Sequence, residues 1–356
     1  MTFSSAIPAK KSTPQLLRMG HLMAFVGFLR QNGVPVSRYL HRHGLPTQCE
    51  DPDTFVPFVR MLSLFETLIR REDRNIGWLV GGHIGDNNLN ADLLRKLENA
   101  PTLYHALRGF VRMISAESTD IDIDILERRD DILLYTHDPA VADMPGYMVS
   151  ETYQIQVFLD LIRHFLGRHW IPDEIGLECT RTPSIIKEQL PGCQIQTQQI
   201  ASYIAVPRSC LHRGALPWDA KIGNLENPLS EKLPALTEHF DYLDTLRATI
   251  MPYLSEGYVS QRIAADLMGT SIRTLTRKLN GYSLTYGELI DEVRFNESKK
   301  QLQKTGMRIG EVAHYVGFKD QGDFSRMIQR VGGLSPTQLR DSLRGRDEKA
   351  QQLRPI

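Results

Sequence analysis

The sequence predicts two domains of different class: an α+β N-terminal domain, and an all-α C-terminal domain holding two helix-turn-helix units joined by a linker helix. Three observations predict it. Helical and strand-like hydrophobic periods alternate through roughly the first 215 residues. Pro217, Pro228 and Pro234, with Gly223 and Asn224, then break the pattern. From about Glu238 the pattern stays helical as far as Arg344, and an internal repeat runs through it. The expected divisions are a flexible N-terminus over 1–13, the α+β domain over 14–215, a linker over 216–240, the helical domain over 241–344 and a flexible polar tail over 345–356.

The elements follow in order. Leu16, Leu17, Met19, Leu22, Met23, Phe25, Val26 and Leu29 recur at helical spacing, and Asn32-Gly33 ends that helix. Phe55–Arg70 and Pro101–Met113 read as further amphipathic helices. The period then changes to two: Ile121, Ile123 and Ile125 alternate with Asp120, Asp122 and Asp124, as in a half-buried strand. Arg129-Asp130-Asp131 makes a turn, and Ile132–Tyr135 returns as a strand. Ser150–Leu166 is a helix with Tyr153, Val157, Leu161 and Phe165 on one stripe. Glu174–Cys179, Cys193–Thr197 and Tyr203–Val206 read as strands, with a short helix at Ser184–Leu190.

A chain of 356 residues is long for one domain and comfortable for two. Hydrophobic residues make up 41% and charged residues 24%, as in ordinary globular proteins. The 42 basic and 42 acidic side chains cancel, which argues against a nonspecific nucleic-acid coat. The balance hides an asymmetry, because Met251–Ile356 carries 17 Lys/Arg against 12 Asp/Glu, an excess of five. Cys49, Cys179, Cys193 and Cys210 are too scattered for a metal motif and read as reduced thiols. No secretory leader follows Lys10-Lys11, and the longest apolar run, Leu22–Leu29, is far short of the ~20 residues that span a bilayer. The expected location is the cytoplasm, with no membrane contact.

The repeat carries the functional signal. Ile263–Leu279 lies over Val312–Ile328 without a gap, at an offset of 49 residues. Ala264 then meets Ala313, Leu267 meets Val316, Leu275 meets Phe324, Thr276 meets Ser325 and Arg277 meets Arg326. In the first copy Val259–Met268 supports, Gly269 turns and Ser271 caps the next helix. That helix should bury Ile272, Leu275 and Leu279 and expose Arg273, Thr274, Thr276, Arg277 and Lys278. In the second copy Ile309–Val316 supports, Gly317 turns and Asp320 caps. Phe324 and Ile328 should point inward; Gln321, Asp323, Ser325 and Arg326 should point outward.

Such faces suit the major groove, where Arg pairs with a guanine edge and Gln with an adenine edge. Two units on one chain can enter successive grooves ~34 Å apart. Tyr286–Gln303 would set the spacing and offers Leu289, Ile290, Val293 and Leu302 to a shared core. Lys299, Lys300 and Lys304 are placed to touch phosphates, which position a protein without reading sequence. The competing reading is a plain helical bundle with a solvated basic face, and the matched repeat weighs against it.

Ile309-Gly310-Glu311-Val312-Ala313, Gly317-Phe318, Phe324-Ser325-Arg326, Gly333-Leu334-Ser335-Pro336 and Arg340 resemble the signature of AraC/XylS-type transcription regulators. Ser271–Leu275, Leu279, Gly281 and Arg294 fit the first half of the same domain, and the likeness spans about Tyr258–Leu343. The resemblance implies two base-reading helices. Carried onto this chain, the readers are Arg273, Thr276 and Arg277 in the first and Gln321, Gly322, Asp323 and Arg326 in the second. Asp323 departs from the pattern: an acid near phosphates is repulsive unless it accepts from a cytosine amino group or pairs with Arg326, so the second helix is expected to add less affinity. Phe55-Val56-Pro57, Pro101-Thr102-Leu103 with Ala106-Leu107, Leu166-Gly167 and Trp170-Ile171-Pro172 are similar, more weakly, to the arabinose-binding-type N-terminal domain of one branch of the family. That domain implies effector sensing or dimerisation and no enzymatic activity. The expected partners are double-stranded promoter DNA, RNA polymerase, a small-molecule effector and a second copy of the chain, and the expected role is activation.

Other groupings are weaker. Asp120, Asp122 and Asp124 start like a calcium loop, but Ile125 and Asp131 stand where Gly and Glu are needed. His41/His43 and His164/His169 lack the helical four-residue metal spacing, and Leu79–Gly85 lacks the dinucleotide fingerprint. No cofactor, metal site or catalytic residue is expected. Phe25, Phe28, Phe110, Tyr153, Phe158 and Phe165 could line an effector cavity or be core. Two rivals stay open: a protein-interaction module that kept the helical bundle without specific DNA binding, and a DNA-repair methyltransferase fused to a DNA-binding domain. The second needs a thiol activated by basic neighbours, for which Cys179 near Arg181 is the nearest match.

Overall fold

The computed structural model describes residues 13–48, 51–82, 100–114, 117–216, 240–257, 259–304 and 306–352. The chain divides into two compact units: Met1–Leu45 with Asp51–Phe240, and Asp241–Ile356 with Pro46–Glu50. The first is α+β and the second is helical.

The first unit opens on a strand, β1 (Leu16–Arg18), before α1 (Met19–Gln31) and α2 (Val36–Arg42). A second strand, β2 (Phe55–Pro57), precedes α3 (Phe58–Arg71) and pairs antiparallel with β1, Leu17 opposite Val56. Both expected helices therefore start late: Leu16, Leu17 and Phe55–Pro57 belong to a two-stranded sheet. Its partners lie about 40 residues apart, so no local period could reveal it. Then come α4 (Ile76–Gly81) and α5 (Leu103–Ile114). Gly81 of the glycine-rich stretch ends α4, where a Cβ would sit 2.9 Å from the Tyr153 carbonyl oxygen. Close helix packing explains that glycine, so Leu79–Gly82 is no phosphate cradle; Gly85 lies outside the described residues.

A five-stranded sheet follows in the order β3-β4-β7-β5-β6. Its strands are β3 (Asp122–Glu127), β4 (Asp131–His137), β5 (Glu174–Gly176), β6 (Gln194–Gln196) and β7 (Ser202–Pro207). Ile123 faces the core while Asp122 and Asp124 are exposed, so the acidic alternation belongs to a strand. The 20-residue helix α6 (Tyr147–Leu166) and the short α7 (Ser184–Gln189) complete the unit. Phe158, Ile162 and Phe165 of α6 pack with Leu107 and Phe110 of α5 and with Ile132, Leu134, Ile204 and Val206 of the sheet. Burying a side chain of this size contributes roughly 1.5–3 kcal/mol, so this face holds the unit together.

The second unit contains α8 (Tyr242–Ile250), a 3₁₀ turn (Met251–Glu256), α9 (Gln261–Leu267), α10 (Ile272–Gly281), α11 (Tyr286–Lys304), α12 (Ile309–Tyr315), α13 (Gln321–Gly332) and α14 (Pro336–Gln352). The polar stretch expected as a tail from Gly345 is helical as far as Gln352. No helix among the described residues is long and apolar enough to cross a membrane.

Candidate nucleic-acid interface

Each helix-turn-helix is built on its own core. In the first, Ser260 caps α9 by accepting the Ile263 N–H at 3.3 Å, and Ser271 caps α10 by accepting the Thr274 N–H at 3.1 Å. Leu275 and Leu279 of α10 pack on Ala264, Ala265, Leu267 and Met268. In the second, Asp320 caps α13 by accepting from Gly322 and Asp323 at 2.7 and 2.9 Å. These two N–H groups, Asp323 first, hold the Asp320 carboxyl below its ordinary range, so the cap stays anionic. Phe324, Met327 and Ile328 pack on Val312, Ala313 and Val316.

The repeat is not gapless. Thr270 and Gly269 donate to the carbonyls of Ala265 and Asp266; Phe318 and Gly317 donate to those of Ala313 and His314. The supporting helices are therefore related by 48 residues, and Ala313 corresponds to Ala265, not Ala264. The caps, Ser271 and Asp320, keep the offset of 49. One extra residue sits in the second turn, which the matched sequence absorbed because either neighbouring Ala suits the helix crossing.

The linker helix α11 does not build one shared core. Leu289, Ile290 and Val293 join the first cluster, whereas Leu302 and Phe295 join the second. Arg294, buried on the same helix, donates to the Gly317 carbonyl at 3.4 Å and lies 4.5 Å from the Phe318 ring centre. Arg340 of α14 donates to the Met307 carbonyl at 2.6 Å. These two signature arginines are struts, each tying a helix to a turn.

The proposed readers fall on two exposed faces. Arg273, Thr276 and Arg277 are exposed on α10; Gln321, Gly322, Asp323 and Arg326 are exposed on α13. Thr276 accepts from the Gln261 amide at 2.8 Å and donates to the Ile272 carbonyl at 2.9 Å, so α9 orients it. Gln261 was missed because its pairing crosses the turn. Ile272, expected inside, is 45% exposed. It is the first residue of α10, ahead of the turn that packs, and its repeat partner is the polar Gln321. Lys278 leans over the Tyr242 ring at 4.1 Å, away from the readers.

The faces differ in charge. Arg273 and Arg277 make no ion pair among the described residues, beside a neutral cap. On α13, Arg326 is bonded to Asp323. Lys300 pairs with Glu297 at 3.3 Å and Lys299 lies 5.0 Å from the Phe295 ring centre, so both are partly engaged; the Lys304 side chain lies outside the described residues.

In the first unit, Phe110, Phe158 and Phe165 are core, and Phe28 is half-buried. Phe25 and Tyr153 border a cavity of about 40 Å³ with His21, Phe65 and Glu117, room for a few waters at most. A recess of about 570 Å³ on the other side of the sheet is lined by Arg128, Glu174, Gln196, Gln199, Tyr203 and Leu133. Cys179 is not activated: burial, then the Glu151 carboxylate, push its thiol far up. Burial likewise pushes Cys193 up to about 11. A nucleophile needs the opposite shift. No group of three or more His, Cys, Asp or Glu among the described residues is placed to hold a metal ion.

Comparison with known proteins assigns both units to known domain families. Residues 33–214 match the arabinose-binding domain of AraC transcription regulators, N-terminal, and residues 264–342 match a helix-turn-helix domain. The chain is 31% identical over 113 residues to the HTH-type transcriptional activator RhaR of Klebsiella pneumoniae, covering 31% of this chain and 40% of that protein. It is 32% identical over 152 residues to the ornithine utilization regulator of Pseudomonas aeruginosa, covering 42% of this chain and 44% of that protein. The alignments thus span less than half of either relative. The crystal structure of the transcriptional regulator CdpR from Pseudomonas aeruginosa covers 86% of this chain and 96% of its own, at 19% identity and a TM-score of 0.38. The matched N-terminal domain alone takes in half of the sequence, and the chain belongs to the AraC family of transcription regulators, in the branch with an arabinose-binding-type N-terminal domain.

Proposed function

We propose that the chain is a sequence-specific DNA-binding transcription regulator, acting as an activator, in which the helical unit reads promoter DNA and the α+β unit takes a small-metabolite signal. The observation that carries this reading is the pair of recognition helices, each fixed by its own core and cap and each presenting Arg with Thr, Ser or Gln to solvent. Arg273, Thr276 and Arg277 read one half-site; Gln321, Gly322, Asp323 and Arg326 read the other. Exposed Ile272 adds an apolar group that suits a thymine methyl. The recess beside Arg128 and Glu174 has the volume of a small-ligand site, and its mixed charge suits a small amphoteric molecule. One relative is named for ornithine utilization, which is in keeping with such an input. RNA polymerase and a second copy of the chain are the further partners, in the cytoplasm, and no catalytic step is assigned.

Fluorescence anisotropy of the full chain on promoter duplexes, over a range of salt, tests the reading. A regulator binds with log K falling steeply as log salt rises, because phosphate neutralisation releases counterions. A flat salt dependence would favour a protein-interaction module instead.

A further inference from the structure

The two recognition helices contain an internal comparison. Arg277 and Arg326 occupy the same place in the repeat, six residues after the caps Ser271 and Asp320. Three residues before each arginine, one helical turn back on the same face, stands Thr274 in the first copy and Asp323 in the second. Thr274 is uncharged and its hydroxyl lies 3.0 Å from that of Ser271, so Arg277 has no anchor there. Asp323 accepts from Nη2 of Arg326. Arg326 Nη1 lies 3.7 Å from where a Gly322 Cβ would be, so the guanidinium is folded over the bare backbone at the start of α13.

We infer that Asp323 is a buttress that presets Arg326 to read a guanine, so that the first recognition helix supplies most of the affinity and the second supplies discrimination. This rests on the reading of both helices as major-groove readers. The N-terminal residues of a recognition helix are those that reach base edges, and that is where Arg326 is held. Arginine has five N–H donors; one bond to Asp323 leaves enough for both acceptors of a guanine edge. The carboxylate fixes the fork and so lowers the ordering cost when DNA arrives. Charge completes the division. Asp320 and Asp323 offset Lys319 and Arg326 around the start of α13, so this end attracts phosphates weakly. The start of α10 carries Arg273 and Arg277 with no acid between them. Gly322 belongs to the device, because a side chain there would meet the Asp320 carboxylate at 3.0 Å and crowd the folded guanidinium.

The test is selection from a randomised 40-base-pair duplex library with the full chain as wild type, Asp323→Thr, Arg326→Lys and Thr274→Asp. All three positions are on the helix surface, and circular dichroism checks the fold of each variant. The wild type should prefer one guanine in one half-site by about tenfold. Asp323→Thr and Arg326→Lys should flatten that position and leave the other half-site unchanged, with binding to a scrambled duplex no weaker. Thr274→Asp should sharpen a guanine preference under Arg277 while lowering total affinity. A guanine preference that survives Asp323→Thr overturns the buttress and leaves the regulator intact. A wild type that enriches no sequence overturns the DNA-reading function, and the buttress with it.

Discussion

Replacing Gly317 by Ala isolates what fixes the second recognition helix. Gly317 has φ +84°, and a Cβ there would lie 2.4 Å from the Leu254 carbonyl oxygen and 2.7 Å from that of Gly257. Gly269, in the first turn, has φ +61° with nothing within 4 Å. Left-handed backbone costs an L-residue about 1–2 kcal/mol, and the stiffer unfolded chain returns about 0.4–1. Gly269→Ala should therefore cost about 1 kcal/mol. Gly317→Ala carries the same cost plus an overpacking cost of roughly 1–3 kcal/mol, because both neighbours are backbone and cannot rotate away. Amide hydrogen exchange of the full chain reads each turn separately. Peptides over Val312–Ile328 should lose about 2 kcal/mol more protection in Gly317→Ala than peptides over Ile263–Leu279 lose in Gly269→Ala. Equal losses would refute the packing argument and reduce both glycines to conformational devices.

Two further predictions concern the first unit. Burial pushes the Glu178 carboxyl from 4.5 to about 8, with the Glu151 and Asp138 carboxylates adding to it against the Tyr147 hydrogen bond. The native state then holds a proton that the unfolded state releases between these values, so Glu178 contributes stability below pH 4.5 that is lost as pH rises toward 8. Thermal melts followed by tryptophan fluorescence should fall in midpoint across that window, and Glu178→Gln should flatten the fall; an unchanged slope in the variant would rule out the assignment. Cys193, pushed up to about 11, should react with iodoacetamide at pH 7.5 roughly 10-fold more slowly than an ordinary thiol, its smaller thiolate fraction being partly offset by the greater nucleophilicity of a more basic thiolate, and labelling at the ordinary rate would contradict its burial.

The recognition helices were legible because their signals are local. A capping residue with an apolar residue four places on marks each one, Ser271 with Leu275 and Asp320 with Phe324. The long helix was legible from Ser150 to Leu166 through its apolar stripe; its start at Tyr147 has no capping side chain to mark it. What was hidden depends on distant or fine geometry. The pairing of Leu16–Arg18 with Phe55–Pro57 joins two three-residue strands, each running directly into a helix whose period masks it. Ile272 looked buried from its spacing, yet its place at the helix start turns it away from the core. The slip of one residue between supporting and recognition helices was invisible because Ala264 and Ala265 are alike in sequence and both are buried. The sequence leaves Asp323 two partners, a cytosine amino group or Arg326, and in the folded chain it pairs with Arg326.

Genome-wide footprinting of the full chain beside the Arg273→Ala/Arg277→Ala/Arg326→Ala variant asks whether these two helices read DNA. A double reader protects discrete sites of about 20 base pairs, two major-groove half-sites one helical turn apart, that disappear in the variant. Uniform weak coverage, the same in both proteins, would contradict it.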